Sequence, residues 1–176
     1  GYVDRMHSGR RNDILCALIP FFLASMLAVL LSRTTITFLI TWELMAIISF
    51  FLVLIEYNEE KTRRAAFFYL VMTQLSTVCL FLAIVILFVM TGSFAFPSGI
   101  STGTTSGLLA FILLFLGIAI KSGVIPFHKW LPHAHPAAAS PVSALMSGMM
   151  LNTALYMLLR AVTGIFVPGS IPGTAI

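Results

Sequence analysis

Residues 117–160 read GIAIKSGVIPFHKWLPHAHPAAASPVSALMSGMMLNTALYMLLR. The stretch opens as an apolar helix and places a lysine, Lys121, inside it. Gly123 and Pro126 follow at once, then a histidine-rich, proline-punctuated passage, and Pro141 begins a new apolar run. An ionisable residue in a membrane span costs about 2.5–3.5 kcal/mol on insertion scales and marks a functional site by default. A span interrupted by Gly and Pro is also where membrane proteins place ion sites, because the break exposes backbone groups to a polar cavity. The stretch reads as part of a proton path.

Composition sets the solvent. Charged residues are 9% of the chain and hydrophobic ones 59%, with a mean hydropathy of +1.03. A soluble domain carries roughly 25% charge. So few charges cannot build a solvated surface, so the chain reads as an integral membrane protein. The net charge of +4 comes from short basic clusters. The cationic side of a membrane protein explains it, and it calls for no nucleic-acid partner. Cys16 and Cys79 both lie in apolar runs and read as small buried hydrophobes rather than a disulfide.

A bilayer-spanning helix needs about 20 apolar residues. Five segments qualify, at about 14–31, 35–55, 65–90, 107–136 (broken near 123–126) and 141–167. The expected fold is all-α, a polytopic transmembrane helix bundle of about five spans with one discontinuous helix. Residues 1–13 read as a polar lead-in on the cytoplasmic side and 168–176 as a truncated tail, so the chain is expected to be a piece of a longer protein. Pro20 predicts a kink in the first span. The connection TGSFAFPSGISTGTTSG after the third span carries no charge and reads as an exposed loop. Arg5, Arg10, Arg11, Lys61, Arg63, Arg64 and Lys129 fall on one side of the alternating spans, and Arg33 and Arg160 on the other. The first side is therefore expected to be cytoplasmic.

Glu43 lies in TWELMAIISFFLV, eight residues past Thr35 and so about 12 Å into a core about 30 Å thick. An unpaired carboxylate there must be neutralised or find a cation. Lys121 is about 21 Å along its segment, which then loosens at Ser122-Gly123 and breaks at Pro126. A lysine taken out of water in this way is suited to proton exchange. A structural ion pair for Glu43 and a snorkelling side chain for Lys121 are the plainer alternatives. His128, His133 and His135 form H-x4-H-x-H. That spacing fits no standard zinc motif, and no Cys or acid lies nearby, so a relay or its mouth is expected instead of a metal site. For His133 simple packing at the interface is the better reading. Arg63 and Arg64 read first as anchors beside Glu59 and Glu60, and otherwise as partners that tune an intramembrane acid. Ser147, Asn152, Thr73 and Gln74 are polar residues in spans that either join helices or line water.

Glu43 in WEL, RRAAFFYLVMTQLS, and IKSGVIPFHKWLPHAHPAAASPVSALMSG together resemble the antiporter-like proton-translocating subunits. These belong to respiratory complex I, to hydrogenase-4 and formate hydrogenlyase membrane arms, and to multisubunit sodium/proton antiporters. The P-x-H-x-W-L-P-x-A-H pattern at 126–135 is the specific part, and ALMSGMMLN is most similar to the hydrogenase-4 type. The resemblance covers about residues 14–160. It implies one repeat of an inverted-repeat transporter fold. It also implies that Glu43 matches the family's fifth-helix glutamate and Lys121 the lysine of its broken seventh helix. In that picture the two titrate as a coupled pair, with His128 as the relay at the break. His135, Arg63, Arg64, Asn152 and Ser147 are the further candidates for relay or tuning. Where many relatives carry a lysine or histidine in the eighth helix, this chain holds Ser147 and Asn152.

The implied function is proton translocation within a redox-driven complex, either hydrogenase-4-like or NADH:quinone oxidoreductase-like. The implied partners are other membrane-arm subunits, the lipid bilayer and the proton, or sodium, as transported ion. The implied location is a bacterial or archaeal cytoplasmic membrane. No flavin, haem or iron–sulfur ligand set is present, so no cofactor is expected and the redox chemistry would belong to neighbouring subunits. A sodium/proton antiporter subunit is the alternative within transport, and a structural anchor for a hydrogenase arm the alternative outside it.

Overall fold

The computed structural model describes residues 2–56 and 59–167, with side chains from residue 13 onward except at 56 and 167. The tail at 168–176 and the side chains of Arg5, Arg10 and Arg11 lie outside the described residues. Among the described residues, five helical stretches are long and apolar enough to cross a membrane: Asp13–Leu31, Thr35–Val53, Glu60–Thr91, Thr105–Ala137 and Ser140–Ile165. The chain is an all-α bundle, as its composition requires in lipid, where a helix satisfies its own backbone.

Helix α1 spans Tyr2–Leu31, so the polar stretch before residue 14 is helical and continuous with the first span. Pro20 lies inside it. A tight turn leads to α2, Thr35–Val53, whose N-cap Thr34 accepts the Thr37 N–H at 3.1 Å. Helix α3 runs Glu60–Thr91 and ends on Gly92, in the left-handed conformation that a side chain would disfavour. Helix α4, Thr105–Ser122, is capped by the Thr104 hydroxyl and stopped by Gly123 at φ 68°. A 3-10 turn at Phe127–Trp130 leads into the short α5, Leu131–Ala137. The last span joins α6, Ser140–Leu145, to α7, Leu151–Arg160, through a π-helical turn at Met146–Met150.

Helix α3 is central. It packs against α2, α4 and α5, while α1 lies on α2 and α7, and α4 also meets α7. The interior holds Trp42, Tyr69, Leu80, Trp130 and Met150, all fully buried. Large apolar side chains such as Phe21, Ile40, Phe67 and Val89 face outward. That is expected of a surface whose solvent is hydrocarbon.

The loop at 92–104 is more ordered than its composition suggests. Thr35 donates its N–H and its hydroxyl to the Phe94 carbonyl at 2.8 and 3.0 Å. Ala95 bridges to Thr34. Strand β1, Ile100–Ser101, pairs in parallel with β2, Phe166–Val167, which follows the last span. Arg160 completes this end by donating to the Ser32 carbonyl at 2.9 Å, with its guanidinium 4.2 Å from the Phe96 ring centroid. The loop thus finds backbone partners on two other segments, which a loop lacking charged residues near the membrane needs.

The α3–α4 contact is closest at Gly117. A Cβ there would sit 2.8 Å from Leu80 Cγ and 2.9 Å from the Ser76 carbonyl oxygen. Gly117→Val is expected to destabilise the full-length subunit by about 1–3 kcal/mol, read by thermal unfolding in detergent. Gly148→Ala, with nothing within 4 Å of the added carbon, should stay within about 0.5 kcal/mol of the parent.

Candidate functional site

Lys121 sits in the last turn of α4, just before the break. The break that follows it is built from local features. Gly123 turns the chain left-handed, and the space a Cβ would take is filled by Leu131 at 2.3 Å. The Ile125–Pro126 bond is cis. The Trp130 indole N–H then folds back to donate to the Ile120 carbonyl at 2.8 Å, one of the acceptors a helix end leaves unpaired. The break therefore brings its own hydrogen-bond donor to the residue beside Lys121.

The Lys121 side chain has no exposure to the surroundings. Its Nζ donates to the Tyr69 hydroxyl at 3.2 Å and lies 5.3 Å from the Tyr69 ring centroid. The Trp130 ring packs on the other part of Tyr69, with centroids 5.0 Å apart. The Tyr69 hydroxyl is 2.6 Å from Ser49 Oγ and 3.6 Å from Met150 Sδ. Ser49 in turn donates to its own helix, at the Met45 and Ala46 carbonyls, 2.7 and 2.9 Å away. A chain of polar atoms thus leads from α4 through α3 to α2.

Glu43 is half-buried between α2 and α3. Its carboxylate accepts from Gln74 Nε2 at 2.5 Å and from Thr77 Oγ1 at 2.6 Å. No hydrogen bond or ion pair joins it to Lys121 among the described residues. Between these two stations, Trp42 Nε1 donates to Ser76 Oγ at 3.4 Å and Ser76 donates to the Gly117 carbonyl at 2.6 Å. All the bridging residues belong to α3: Tyr69, Gln74, Ser76 and Thr77. Successive spacings of five, two and one residues spread them over about half of the helix surface, from the side of α2 to the side of α4.

The other candidates are placed apart from this network. His128 is exposed on the 3-10 turn, with no hydrogen bond to Lys121 among the described residues. His133 is exposed and meets Phe68 edge-on at 5.9 Å. His135 Nδ1 bonds Ser143 Oγ at 2.9 Å and so ties α5 to α6. The three histidines face different neighbours. Arg64 pairs with Glu60 at 2.6 Å in the exposed first turn of α3, with Arg63 exposed beside it. Arg64, Lys61, His133 and Phe68 help line a groove of about 610 Å³ where α3 begins and α5 passes. Ser147 and Asn152 are exposed and bond back to their own helix, at the Ser143 and Gly148 carbonyls.

Tyr69, Ser49 and Thr77 did not emerge from the sequence as site residues. For Tyr69 and Thr77 the signal was a hydroxyl spacing of four, three and one along Tyr69, Thr73, Ser76 and Thr77, which marks one polar helix face, whereas Ser49 on α2 left none.

This chain is 42% identical over 171 residues to an uncharacterized protein of Mycobacterium tuberculosis (strain CDC 1551 / Oshkosh), covering 96% of the chain and 26% of that protein. It is 31% identical over 171 residues to hydrogenase-4 component B of Escherichia coli (strain K12), covering 96% of the chain and 25% of the relative. The chain therefore spans about a quarter of the length of these curated relatives. Among solved structures it is similar to a chain of the Mrp complex from Dietzia sp. DQ12-45-1b. The TM-score is 0.78 at 25% identity, over 84% of this chain and 29% of that one. The family described as NADH:quinone oxidoreductase/Mrp antiporter, transmembrane, matches residues 32–171. An intramembrane acid and a buried lysine on a broken helix, held through one polar helix face, thus sit in a chain that belongs to the NADH:quinone oxidoreductase/Mrp antiporter transmembrane family.

Proposed function

We propose that this chain is the proton-handling part of an antiporter-like membrane subunit, with Glu43 and Lys121 as its coupled pair. The observation that carries this reading is the full burial of Lys121 in the last turn before a helix break, where it is held by α3, the helix whose Gln74 and Thr77 also hold the Glu43 carboxylate. A cation buried without a partner carboxylate in contact is costly to keep charged. It is therefore a group whose proton can be moved by a modest change in its surroundings.

The proposed step is an exchange of partners. While Gln74 and Thr77 hold Glu43, Lys121 rests on Tyr69. When the carboxylate leaves its α3 donors for Lys121, it alters the lysine's hold on its proton. The likeness to hydrogenase-4 component B supports a role in a redox-driven membrane arm, among other membrane subunits. The likeness to the Mrp complex favours a second reading, in which the same pair handles a proton in exchange for a cation such as sodium. His128, exposed at the break, would lie at the mouth of the path and not inside it.

Lys121→Met tests the reading in the full-length subunit within its complex. Methionine matches the lysine in length and leaves the Tyr69 hydroxyl with Ser49 and Met150. Assembly and melting temperature are expected to stay at or above the parent's, whereas Lys121→Ala should cost about 2–5 kcal/mol through the cavity it opens. Driven proton uptake into inverted vesicles should fall about 100-fold or more in assembled Lys121→Met, the scale of a lost proton-transfer group. A parental rate there would overturn the reading and leave an anchoring role. Proton movement that requires sodium in the parent protein would select the exchange version.

A further inference from the structure

A buried amine that gains and loses a proton needs a partner in both states. As an ammonium it has only N–H donors, and its neighbour must accept. As a neutral amine it gains a lone pair, and a neighbour able to donate then holds it in place. A carbonyl or a thioether can only accept. Among the described residues, the hydrogen-bonding neighbour of Lys121 Nζ is the Tyr69 hydroxyl, which can do either.

The atoms beyond Tyr69 show how it could turn. With Lys121 charged, the donors can all point one way: Lys121 Nζ to Tyr69 OH at 3.2 Å, Tyr69 OH to Ser49 Oγ at 2.6 Å, and Ser49 Oγ to the Met45 or Ala46 carbonyl at 2.7 or 2.9 Å, with Met150 Sδ at 3.6 Å as a weaker second acceptor for the Tyr69 hydrogen. The same oxygens support the reverse order. Ser49 turns its hydrogen to Tyr69, and Tyr69 turns its hydrogen to the neutral amine. No heavy atom moves and neither hydroxyl loses its proton. The Ser49–Tyr69 contact suits either direction, since either oxygen can donate. Ser49 and Tyr69 are both fully buried, so bulk water does not substitute for them.

Resting on the reading of Lys121 as a proton carrier, we propose that Tyr69 is a positioning residue that, with Ser49, keeps Lys121 hydrogen-bonded in both of its charge states by reversing the direction of a two-hydroxyl chain. The chain ends on α2, six residues from Glu43 and about 9 Å along that helix. The charge state of Lys121 is thereby felt on the helix that carries its partner.

Tyr69→Phe keeps the ring against Trp130 and Lys121 and removes only the hydroxyl. In assembled full-length complex, it is expected to slow proton translocation about tenfold. Ser49→Ala is expected to slow it several-fold, and the double variant should be no slower than Tyr69→Phe alone, because both changes break one chain. Infrared difference spectra of the reconstituted complex, taken between resting and energised states, should show a tyrosine C–O band shift. The shift should be absent in Tyr69→Phe and in Lys121→Met. A packing role would leave that band still in the parent protein. Parental translocation in Tyr69→Phe, losses that multiply in the double variant, or no band shift in the parent protein would each overturn the proposal. If Tyr69→Phe does not assemble, Ser49→Ala decides by the same rate criterion. Loss of translocation in Lys121→Met with a normal rate in Tyr69→Phe would sink this inference and spare the carrier. A normal rate in Lys121→Met would sink the carrier itself.

Discussion

In hydrocarbon no water is available to complete a hydrogen bond, so every polar atom inside the bundle must be met by another part of the protein. Helix α3 meets that demand for both of its neighbours. Gln74 and Thr77 satisfy the Glu43 carboxylate of α2, Tyr69 satisfies the Lys121 ammonium of α4, and Ser76 accepts from Trp42 while capping the Gly117 carbonyl. Among the described residues, no buried side-chain nitrogen or oxygen lacks a partner. Two charges can sit in this membrane interior because one helix turns a polar face to both.

The helix break follows the same rule. Ending α4 inside the bundle frees backbone carbonyls that a continuous helix would use. Gly123 and Val124 return their N–H groups to Ile120 and Ala119, and the Trp130 indole takes up Ile120 as well. The satisfied break keeps the end of α4 in place, which fixes where Lys121 can reach. The same tryptophan packs on Tyr69, so the break and the lysine's partner are held by one side chain.

The spans, the break and the two charged residues could be read from the chain because each leaves a local mark: about 20 apolar residues, a Gly–Pro interruption, an ionisable residue where none is tolerated. The polar face of α3 left a weaker one. Tyr69 passes for a core aromatic and Ser49 for a small packing residue until their hydroxyls are seen to meet. The pairing of Ile100 with Phe166 joins residues far apart in the chain and leaves no local sign, so the loop at 92–104 read as merely exposed. His128 was singled out by its chemistry as a relay at the break, and it lies exposed on the 3-10 turn there. Ser147 and Asn152 read either as residues that join helices or as residues that line water, and each donates to a carbonyl of its own helix.

The separation of Glu43 from Lys121 bears on whether such a pair can switch at all. Two unit charges 4 Å apart exchange about 4 kcal/mol at an effective dielectric of 20, and more in a drier site. A pair in direct contact with no competing partner would be hard to open. Two hydrogen bonds to a carboxylate are worth about 1.5–3 kcal/mol each, so the Gln74 and Thr77 donors come close to matching that attraction. In the proposed mechanism the carboxylate therefore has two berths of similar depth, and a small movement of a neighbouring subunit is enough to decide between them. The neutral donors on α3 are then as much a part of the switch as the charges they hold.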